Sequence, residues 1–329
     1  MTPRSAILKL GVGFLFCYLI IMTTPVQSQV NICSTAKSCH TLQANASLNN
    51  RFYLCELGAL YKIPCSQVRQ GFKDHYDRFV KTFKNPISAN TSYIIEPKTH
   101  RIWLTSPEEP VEAPLDRLEF YNSSLQFYRD KPFEHHFWCN GVHLIPQTIA
   151  TLQSFNVPII IHDIQEIIGQ FITKKLFRKL LNDKMFAFSS DLARQEIVLL
   201  NGGLYIDIGL EQVRDIESYF RKYQQIHYAT ADHWIDIGLI GAPKGAEFLQ
   251  ACLTLVKDLP KTLRLIPPPA SPLNLLGRGT WQVMIASETF RPVSLALLYE
   301  SLDFKHHGLL SWRKKLSDFT VAYILELEA

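Results

Sequence analysis

The sequence has no long block of charge of one sign. Its longest basic run is Arg313-Lys314-Lys315, its formal net charge is +4, and charged residues make up 19% of its 329 residues. Nucleic-acid-binding domains concentrate Lys and Arg on one face or helix, so we expect no nucleic-acid partner. The sequence also lacks internal repeats and low-complexity tracts, and its hydrophobic content of 47% is that of an ordinary globular protein.

Several signatures of catalytic and metal sites are missing as well. The sequence contains no C-x-x-C, G-x-S-x-G or H-E-x-x-H motif, which weakens a zinc site and the common hydrolase classes. A glycoside hydrolase is left as a weaker alternative, because Asp207, Glu211 and Asp215 include candidates for a catalytic carboxylate pair.

Residues 1–28 have the pattern of a secretory signal peptide. Arg4 and Lys9 precede an apolar run from Leu10 to Met22, and short side chains lead to a cleavage site after Ser28. The apolar run is shorter than the roughly 20 apolar residues that a transmembrane helix needs. We therefore expect export through the secretory pathway, with membrane association through an uncleaved anchor in residues 1–28 as the alternative.

An exported chain meets an oxidising environment, so its cysteines predict disulfides. Seven cysteines occur and Cys17 lies in the signal, which leaves six and up to three bridges. Short spacing favours the local pairs Cys33–Cys39 and Cys55–Cys65, although the connectivity is open. Cys139 and Cys252 lie in apolar segments, where buried free thiols are equally expected.

The pattern of the sequence changes after Pro97. Residues 29–93 carry cysteines and an apolar stripe at helical spacing between Phe72 and Phe83, so we predict an N-terminal helical appendage. In residues 94–329 short apolar runs alternate with helical patterns. This alternation predicts an α/β domain with a largely parallel sheet.

The α/β domain contains six predicted strands before its C-terminal part. They are expected at residues 100–105, 135–140, 157–161, 204–208, 227–230 and 235–240. Helices are expected between them, notably at residues 120–128, 165–184, 214–223 and 246–259.

The stretch from Phe186 to Glu211 has the clearest local pattern. Apolar residues at near-helical spacing follow a Ser-Ser pair whose hydroxyls can cap free amides, so a helix is expected to begin near Ser190. Asn201-Gly202-Gly203 ends this helix, because glycine adopts the left-handed backbone of a helix C-cap. The strand at residues 204–208 then brings Asp207 to its carboxyl end, where open α/β sheets bind ligands.

Asp191 and Arg194 lie three residues apart and therefore share a face of this helix. In one interpretation they form an ion pair that stabilises the helix by about 0.2–0.5 kcal/mol. In the other, Arg194 neutralises a phosphate or binds a sugar hydroxyl while Asp191 accepts a hydrogen bond from the sugar.

The phrase S-x-D-L-x-R, followed by N-G-G-x-Y-x-D, resembles the DXD-motif sugar transferases. This family includes the yeast initiating mannosyltransferase-like enzymes and the glucosylating domains of large clostridial toxins. Further blocks resemble the family in the same order, at residues 97–103, 136–140, 240–245 and 306–312. The resemblance covers residues 94–315 and implies a GT-A type, Rossmann-like domain that binds a nucleotide sugar.

The resemblance also implies roles for individual residues. Trp103 would stack on the nucleobase, Tyr205 would pack near the ribose, and His307 would close over the diphosphate; plain core packing is the alternative for Trp103. Asp191 and Arg194 would hold the donor sugar and Asp207 would bind the ribose or the metal, which makes these three the candidate catalytic residues. The residues expected to contact the nucleotide sugar are Trp103, Asn140, Asp191, Arg194, Tyr205, Asp207 and Trp312. The implied metal is Mn²⁺ or Mg²⁺, held by Asp207 and His307.

One position departs from the family motif. The motif places a second carboxylate two residues after the first, because such side chains share one side of an extended segment. Here that position is Gly209. Glu211 has the same parity but lies about 6–7 Å farther along a straight strand. The alternatives are a site completed by Glu211, His307 or water, a metal-independent transferase, and a fold that has lost turnover.

The sequence thus predicts an exported glycosyltransferase. It would move a sugar from a UDP- or GDP-sugar donor to a glycan or protein acceptor, with the retention of anomeric configuration that the resemblance implies. The alternative is a catalytically weak or inactive nucleotide-sugar-binding or carbohydrate-binding protein on the same fold, because Gly209 replaces the second carboxylate.

Overall fold

A computed structural model of the chain describes residues 29–32, 40–43, 86, 92–229, 235–263, 295–299 and 302–307. The chain divides into two compact units, Met1–Tyr53 and Leu54–Ala329. In the first unit, strand β1 (Gln29–Ile32) pairs antiparallel with strand β2 (His40–Gln43). These segments are strands, whereas a helical appendage was predicted.

The other predictions for the N-terminal part lie outside the described residues. These are the signal peptide, the apolar stripe and the cysteines Cys33, Cys39, Cys55 and Cys65. Cys139 and Cys252 are described, and both are buried free thiols. Among the described helices, none has the length and apolar character needed to cross a membrane.

The described residues of the second unit form a seven-stranded sheet, with the order β10-β8-β9-β6-β3-β4-β5. Its strands are β3 (Lys98–Trp103), β4 (Glu134–Cys139), β5 (Ile159–Asp163), β6 (Gly203–Ile206), β8 (Gln225–Ala229), β9 (Ile235–Ala242) and β10 (Leu295–Tyr299). Neighbouring strands are parallel except at β9, which pairs antiparallel with both β6 and β8. The predicted α/β class with a largely parallel sheet is confirmed.

A smaller antiparallel pair lies beside the main sheet. Strand β7 (Leu210–Gln212) follows β6 closely and pairs with β11 (Phe304–His306). The described helices are α1 (Leu115–Leu125), α2 (Pro146–Gln153), α3 (Lys174–Asn182), α4 (Phe186–Asn201), α5 (Glu217–Lys222) and α6 (Glu247–Leu263). Single 3₁₀ turns occur at Gln126–Tyr128, Val142–Leu144, Ile164–Glu166 and Ile168–Gln170.

Helix α4 begins at Phe186, earlier than the predicted start near Ser190. The Ser189 amide and hydroxyl both donate to the carbonyl of Met185, at 2.9 and 3.1 Å. Ser189 therefore lies inside the helix, where its hydroxyl bonds back one turn, and the predicted serine cap is wrong. The predicted end is confirmed, because Gly202 follows Asn201 with a φ of +68°.

Apolar packing fixes α4 against the sheet. The helix contacts β3, β6 and β9, and also packs on α3 and α6. Most of its side chains are buried, including the polar ones of Ser189, Asp191, Arg194, Gln195 and Glu196. Buried polar groups need partners, and Arg194 finds one in Asp207, the residue that follows β6.

Candidate functional site

The strand order reverses between β3 and β6. From β3 the chain proceeds through β4 to β5 on one side, and then returns to place β6 on the other side of β3. In open α/β sheets, ligands bind in the crevice at the carboxyl ends of the strands where this reversal occurs. Asp207 directly follows β6, and Trp103 is the last residue of β3.

Asp207 opens a tight turn that ends at Leu210. The Leu210 amide donates to the Asp207 carbonyl at 2.8 Å, and the Gly209 amide donates to Oδ1 of Asp207 at 2.9 Å. The amide of Asp207 donates to the carbonyl of Gly238 on β9 at 2.7 Å. The Asp207 side chain is still 31% exposed, so its carboxylate is oriented by protein groups and accessible to a ligand.

Arg194 joins the two sequence motifs in space. Its Nη2 lies 3.1 Å from Oδ1 of Asp191 and 3.1 Å from Oδ2 of Asp207, and its side chain is only 7% exposed. Nε donates to the Ser190 carbonyl and Nη1 to the Ile237 carbonyl, at 3.1 and 3.2 Å. The predicted ion pair with Asp191 is confirmed. Direct contact of Arg194 or Asp191 with a donor sugar stays a prediction.

The surroundings of Arg194 favour its charged form. Burial opposes the charge, but electrostatic interactions with Tyr205 and with the carboxylates of Asp191, Asp207 and Asp236 outweigh burial and raise the pKa of Arg194. The guanidinium lies 4.8 Å from the centre of the Tyr205 ring. Tyr205 is itself buried, and burial raises the pKa of its phenol. Tyr205 thus supports Arg194 as a neutral aromatic platform; the predicted contact with a ribose is untested.

Asp236 on β9 is an acidic residue that the sequence did not single out for this site. β9 pairs antiparallel with β6, with Ile206 opposite Leu239, and Asp236 lies three residues before Leu239 on β9. Oδ1 of Asp236 and Cβ of Asp207 lie 3.1 and 3.8 Å from the position that a Cβ on Gly238 would occupy. A second carboxylate therefore approaches Asp207 from the neighbouring strand rather than from its own.

Gly209 itself is closely covered. The amide of His307, just after β11, donates to the Gly209 carbonyl at 2.8 Å. A Cβ at Gly209 would lie 3.3 Å from the His307 carbonyl oxygen and 3.4 Å from Oδ1 of Asp207. A larger side chain at this position would require the segment after β11 to shift.

His307 and Glu211, both candidates to complete a metal site, bind each other. Nε2 of His307 lies 3.1 Å from Oε2 of Glu211, and the imidazole stacks on Phe120 with ring centres 4.0 Å apart. Within the described ranges, no three His, Cys, Asp or Glu side chains form a group that could hold a metal ion. Metal binding by Asp207 and His307 stays a prediction.

Trp103 and Asn140 lie at the carboxyl ends of β3 and β4. Nε1 of Trp103 donates to the Val111 carbonyl at 2.8 Å. The Asn140 side chain accepts from the Thr105 amide at 2.9 Å and donates to the Thr105 carbonyl at 2.7 Å. Asn140 therefore fastens the ends of two neighbouring strands, while the predicted nucleotide contacts are untested. Trp312, the last predicted contact, lies outside the described residues.

A buried histidine holds the junction between α4 and β6. Nε2 of His100 donates to the Gly202 carbonyl at 2.8 Å, because a carbonyl can only accept, and Nδ1 of His100 accepts from the Trp138 indole at 3.2 Å. Burial lowers the pKa of His100 to about 3. His100 is consequently neutral, and it positions the Gly-Gly turn that precedes Asp207.

Asp215, one of the acids considered for a hydrolase, forms an ion pair and a hydrogen bond with residues outside the candidate site. Its Oδ2 lies 2.5 Å from Nζ of Lys131, and its Oδ1 accepts from the Glu217 amide at 2.8 Å. Glu211 is bound to His307. These contacts give no support to a carboxylate pair formed by Glu211 and Asp215.

Comparison with known proteins found similarity at the level of structure. The sequence matches no protein-family model and no curated protein. The PaToxG glycosyltransferase is similar with a TM-score of 0.49 and 14% identity, over 70% of this chain and 79% of that chain. The ligand-free glycosyltransferase domain of the YGT toxin gives a TM-score of 0.43 and 9% identity, over 64% and 81%. The UDP-bound form of the YGT domain gives a TM-score of 0.42 and 10% identity, over 64% of this chain and 80% of that chain.

Proposed function

We propose that this chain is a nucleotide-sugar-dependent glycosyltransferase of the GT-A type, with a UDP- or GDP-sugar as donor and a glycan or protein as acceptor. The main support is the contact of Arg194 with both Asp191 and Asp207. This contact unites the S-x-D-L-x-R and N-G-G-x-Y-x-D phrases at the strand-order reversal, where α/β sheets bind ligands. Export is proposed as well, from the signal-like residues 1–28.

The exposure of the three side chains suggests which of them contacts the donor and which orients the others. Asp207 is 31% exposed, whereas Asp191 and Arg194 are 10% and 7% exposed. We therefore assign donor contact first to Asp207, which can accept hydrogen bonds from ribose or sugar hydroxyls. Arg194 orients Asp207 and neutralises part of its charge. Transfer with retention, implied by the sequence resemblance, needs no separate strong general base.

The charges of the site favour a cation that accompanies the diphosphate. In the described structure, the guanidinium of Arg194 has three carboxylates near it, those of Asp191, Asp207 and Asp236. A diphosphate approaching this excess of negative charge would be repelled. Hard carboxylate oxygens suit Mg²⁺ or Mn²⁺, which often use one or two carboxylates and complete their shell with water and phosphate oxygens.

Asp207 and Asp236 are the residues that would hold such an ion, because they converge near Gly238. A bound divalent cation would stabilise the charge that develops on the nucleoside diphosphate as it leaves. Arg194 would meanwhile keep the Asp207 carboxylate in place through Oδ2.

A second candidate is a binding protein without turnover on the same fold. The observation that favours it is the covered Gly209, whose position offers no carboxylate and where a Cβ would lie 3.3 Å from the His307 carbonyl oxygen. Donor binding without transfer or hydrolysis, in the presence of either metal, would support this candidate.

The test is titration calorimetry with UDP- and GDP-sugars, with and without Mn²⁺, together with an assay for released nucleoside diphosphate. We expect metal-enhanced binding that Asp207→Asn removes. Asp163→Asn is the matched control, because Asp163 also ends a strand and its Oδ1 also accepts from the amide two residues later. No binding of any nucleotide sugar to the wild-type protein, or equal binding by Asp207→Asn, would refute the proposal.

A further inference from the structure

Arg101 is a fully buried cation in the middle of the central strand β3. It is 1% exposed, and its guanidinium lies 4.6 Å from the centre of the Tyr121 ring. Burial lowers the pKa of Arg101. No carboxylate of the described residues lies within ion-pair distance of it. A buried charge without an ionic partner opposes folding, so this arginine needs an explanation other than stability.

Within the described part of the chain, the hydrogen bonds of Arg101 all go to the turn that carries Asp207. Nη1 donates to the Asp207 carbonyl at 2.8 Å and to the Leu210 carbonyl at 3.1 Å. These carbonyls are the first and last of the turn. Nε and Nη2 are buried and have no hydrogen-bond partner among the residues that the structure describes. Arg101 therefore braces the two ends of this one turn.

We propose that Arg101 is a positioning residue for Asp207. Arg194 holds the carboxylate of Asp207 and Arg101 holds its main-chain carbonyl, so arginines from α4 and β3 fix both ends of the same residue. The direction of the carboxylate is then set before a donor binds. This inference rests on the proposed transferase function, in which the direction of Asp207 decides the rate.

A positioning role and a purely structural role of Arg101 make different predictions for turnover. Methionine is apolar and similar in length to the aliphatic part of arginine, so Arg101→Met removes the penalty of the buried charge while it leaves two carbonyls with one donor fewer. A positioning role predicts lost turnover in a protein that still folds. A structural role predicts that turnover falls only as far as the folded fraction does.

The experiment compares Arg101→Met and Arg101→Lys with Arg117→Met. Arg117 is a matched control, since it is also a buried arginine over an aromatic ring, 5.4 Å from the centre of Phe120, and makes no hydrogen bond to the turn. Two properties are measured. One is the kinetics of sugar transfer, given by kcat and the donor KM, and the other is hydrogen exchange at the amides of Gly209 and Leu210.

We expect Arg101→Met to lower kcat by about tenfold to a hundredfold while the donor KM changes less than about threefold. Exchange at Gly209 and Leu210 should accelerate at least about tenfold, because both amides bond to Asp207. Arg101→Lys should recover part of both effects, since its ammonium can donate to the two carbonyls. Arg117→Met should change neither quantity beyond about twofold.

Wild-type kcat and exchange in Arg101→Met would overturn the inference. The inference would also be overturned if Arg101→Lys had the same kcat and exchange as Arg101→Met, or if Arg117→Met lost as much activity and protection. Failure of both Arg101 variants to fold would overturn it as well. If the wild-type protein transfers no sugar from any donor, the proposed function fails. The exchange measurements would still decide whether Arg101 holds the turn.

Discussion

Nη2 of Arg194 lies 3.1 Å from Oδ2 of Asp207, and this contact connects a buried helix to the tip of a central strand. Arg194→Met should lower the free energy of unfolding by about 3–5 kcal/mol, because it leaves the buried Asp191 carboxylate without its cation. Arg194→Lys, which keeps a charge but not the several fixed donors of a guanidinium, should lose less. Urea unfolding measures both; a loss under about 1 kcal/mol in the methionine variant would contradict the expectation.

Gly202 and Gly245 form a matched pair for testing the end of α4. Both have a left-handed backbone, with φ of +68° and +75°. A Cβ on Gly202 would collide with the Glu96 carboxylate and lie 2.8 Å from the Lys244 amide, whereas a Cβ on Gly245 has nothing within 4 Å. Gly245→Ala should cost about 1–2 kcal/mol from backbone strain alone, and Gly202→Ala should cost clearly more. Equal shifts of the urea midpoint in the two variants would show that the collision at Gly202 is relieved without loss of stability.

Restoring an acid at Gly209 should not restore a metal-dependent enzyme. In Gly209→Asp the new Cβ would lie 3.3 Å from the His307 carbonyl oxygen and 3.4 Å from Oδ1 of Asp207, so a negative group would enter a covered and already negative position. We expect lower stability and no gain in Mn²⁺-dependent donor binding. Asp236→Asn should instead weaken any Mn²⁺-dependent binding. Stronger Mn²⁺ dependence in Gly209→Asp would contradict this expectation.

Acid should destabilise the fold through its buried histidines. Burial lowers the pKa of His100 and His227 to about 3, and that of His135 and His136 to about 4, from the ordinary 6.5. The unfolded chain therefore binds more protons between pH 6.5 and these values, so the stability present above pH 6.5 is lost as the pH falls.

The measurement is urea unfolding at a series of pH values between 7.5 and about 4. His227→Gln keeps a hydrogen-bonding side chain beside Gln225 but cannot take up a proton, so its stability should fall less steeply with acidification. The exposed His143 provides the control substitution, His143→Gln. An unchanged slope in His227→Gln would show that this histidine does not contribute.

The helix, turn and strand around Asp207 could be predicted because the signals are local. The end of α4 depends on the backbone freedom of Gly202, and the strand depends on the apolar run after it. Asp207 accordingly follows β6, as expected. The serine cap failed for a related reason, since Ser189 has an alternative acceptor within its own helix, the Met185 carbonyl.

The other contacts of the site were decided by tertiary structure. Asp236 approaches Asp207 only because β9 runs antiparallel beside β6, and a sequence does not state which strands pair. Arg101 is buried beneath the Asp207 turn although charged side chains usually lie at the surface. The sequence by itself thus determined the fold class and the acid at the strand end, through periodicity and glycine. Tertiary structure alone decided which distant side chains hold that acid, because those contacts depend on how separate elements pack.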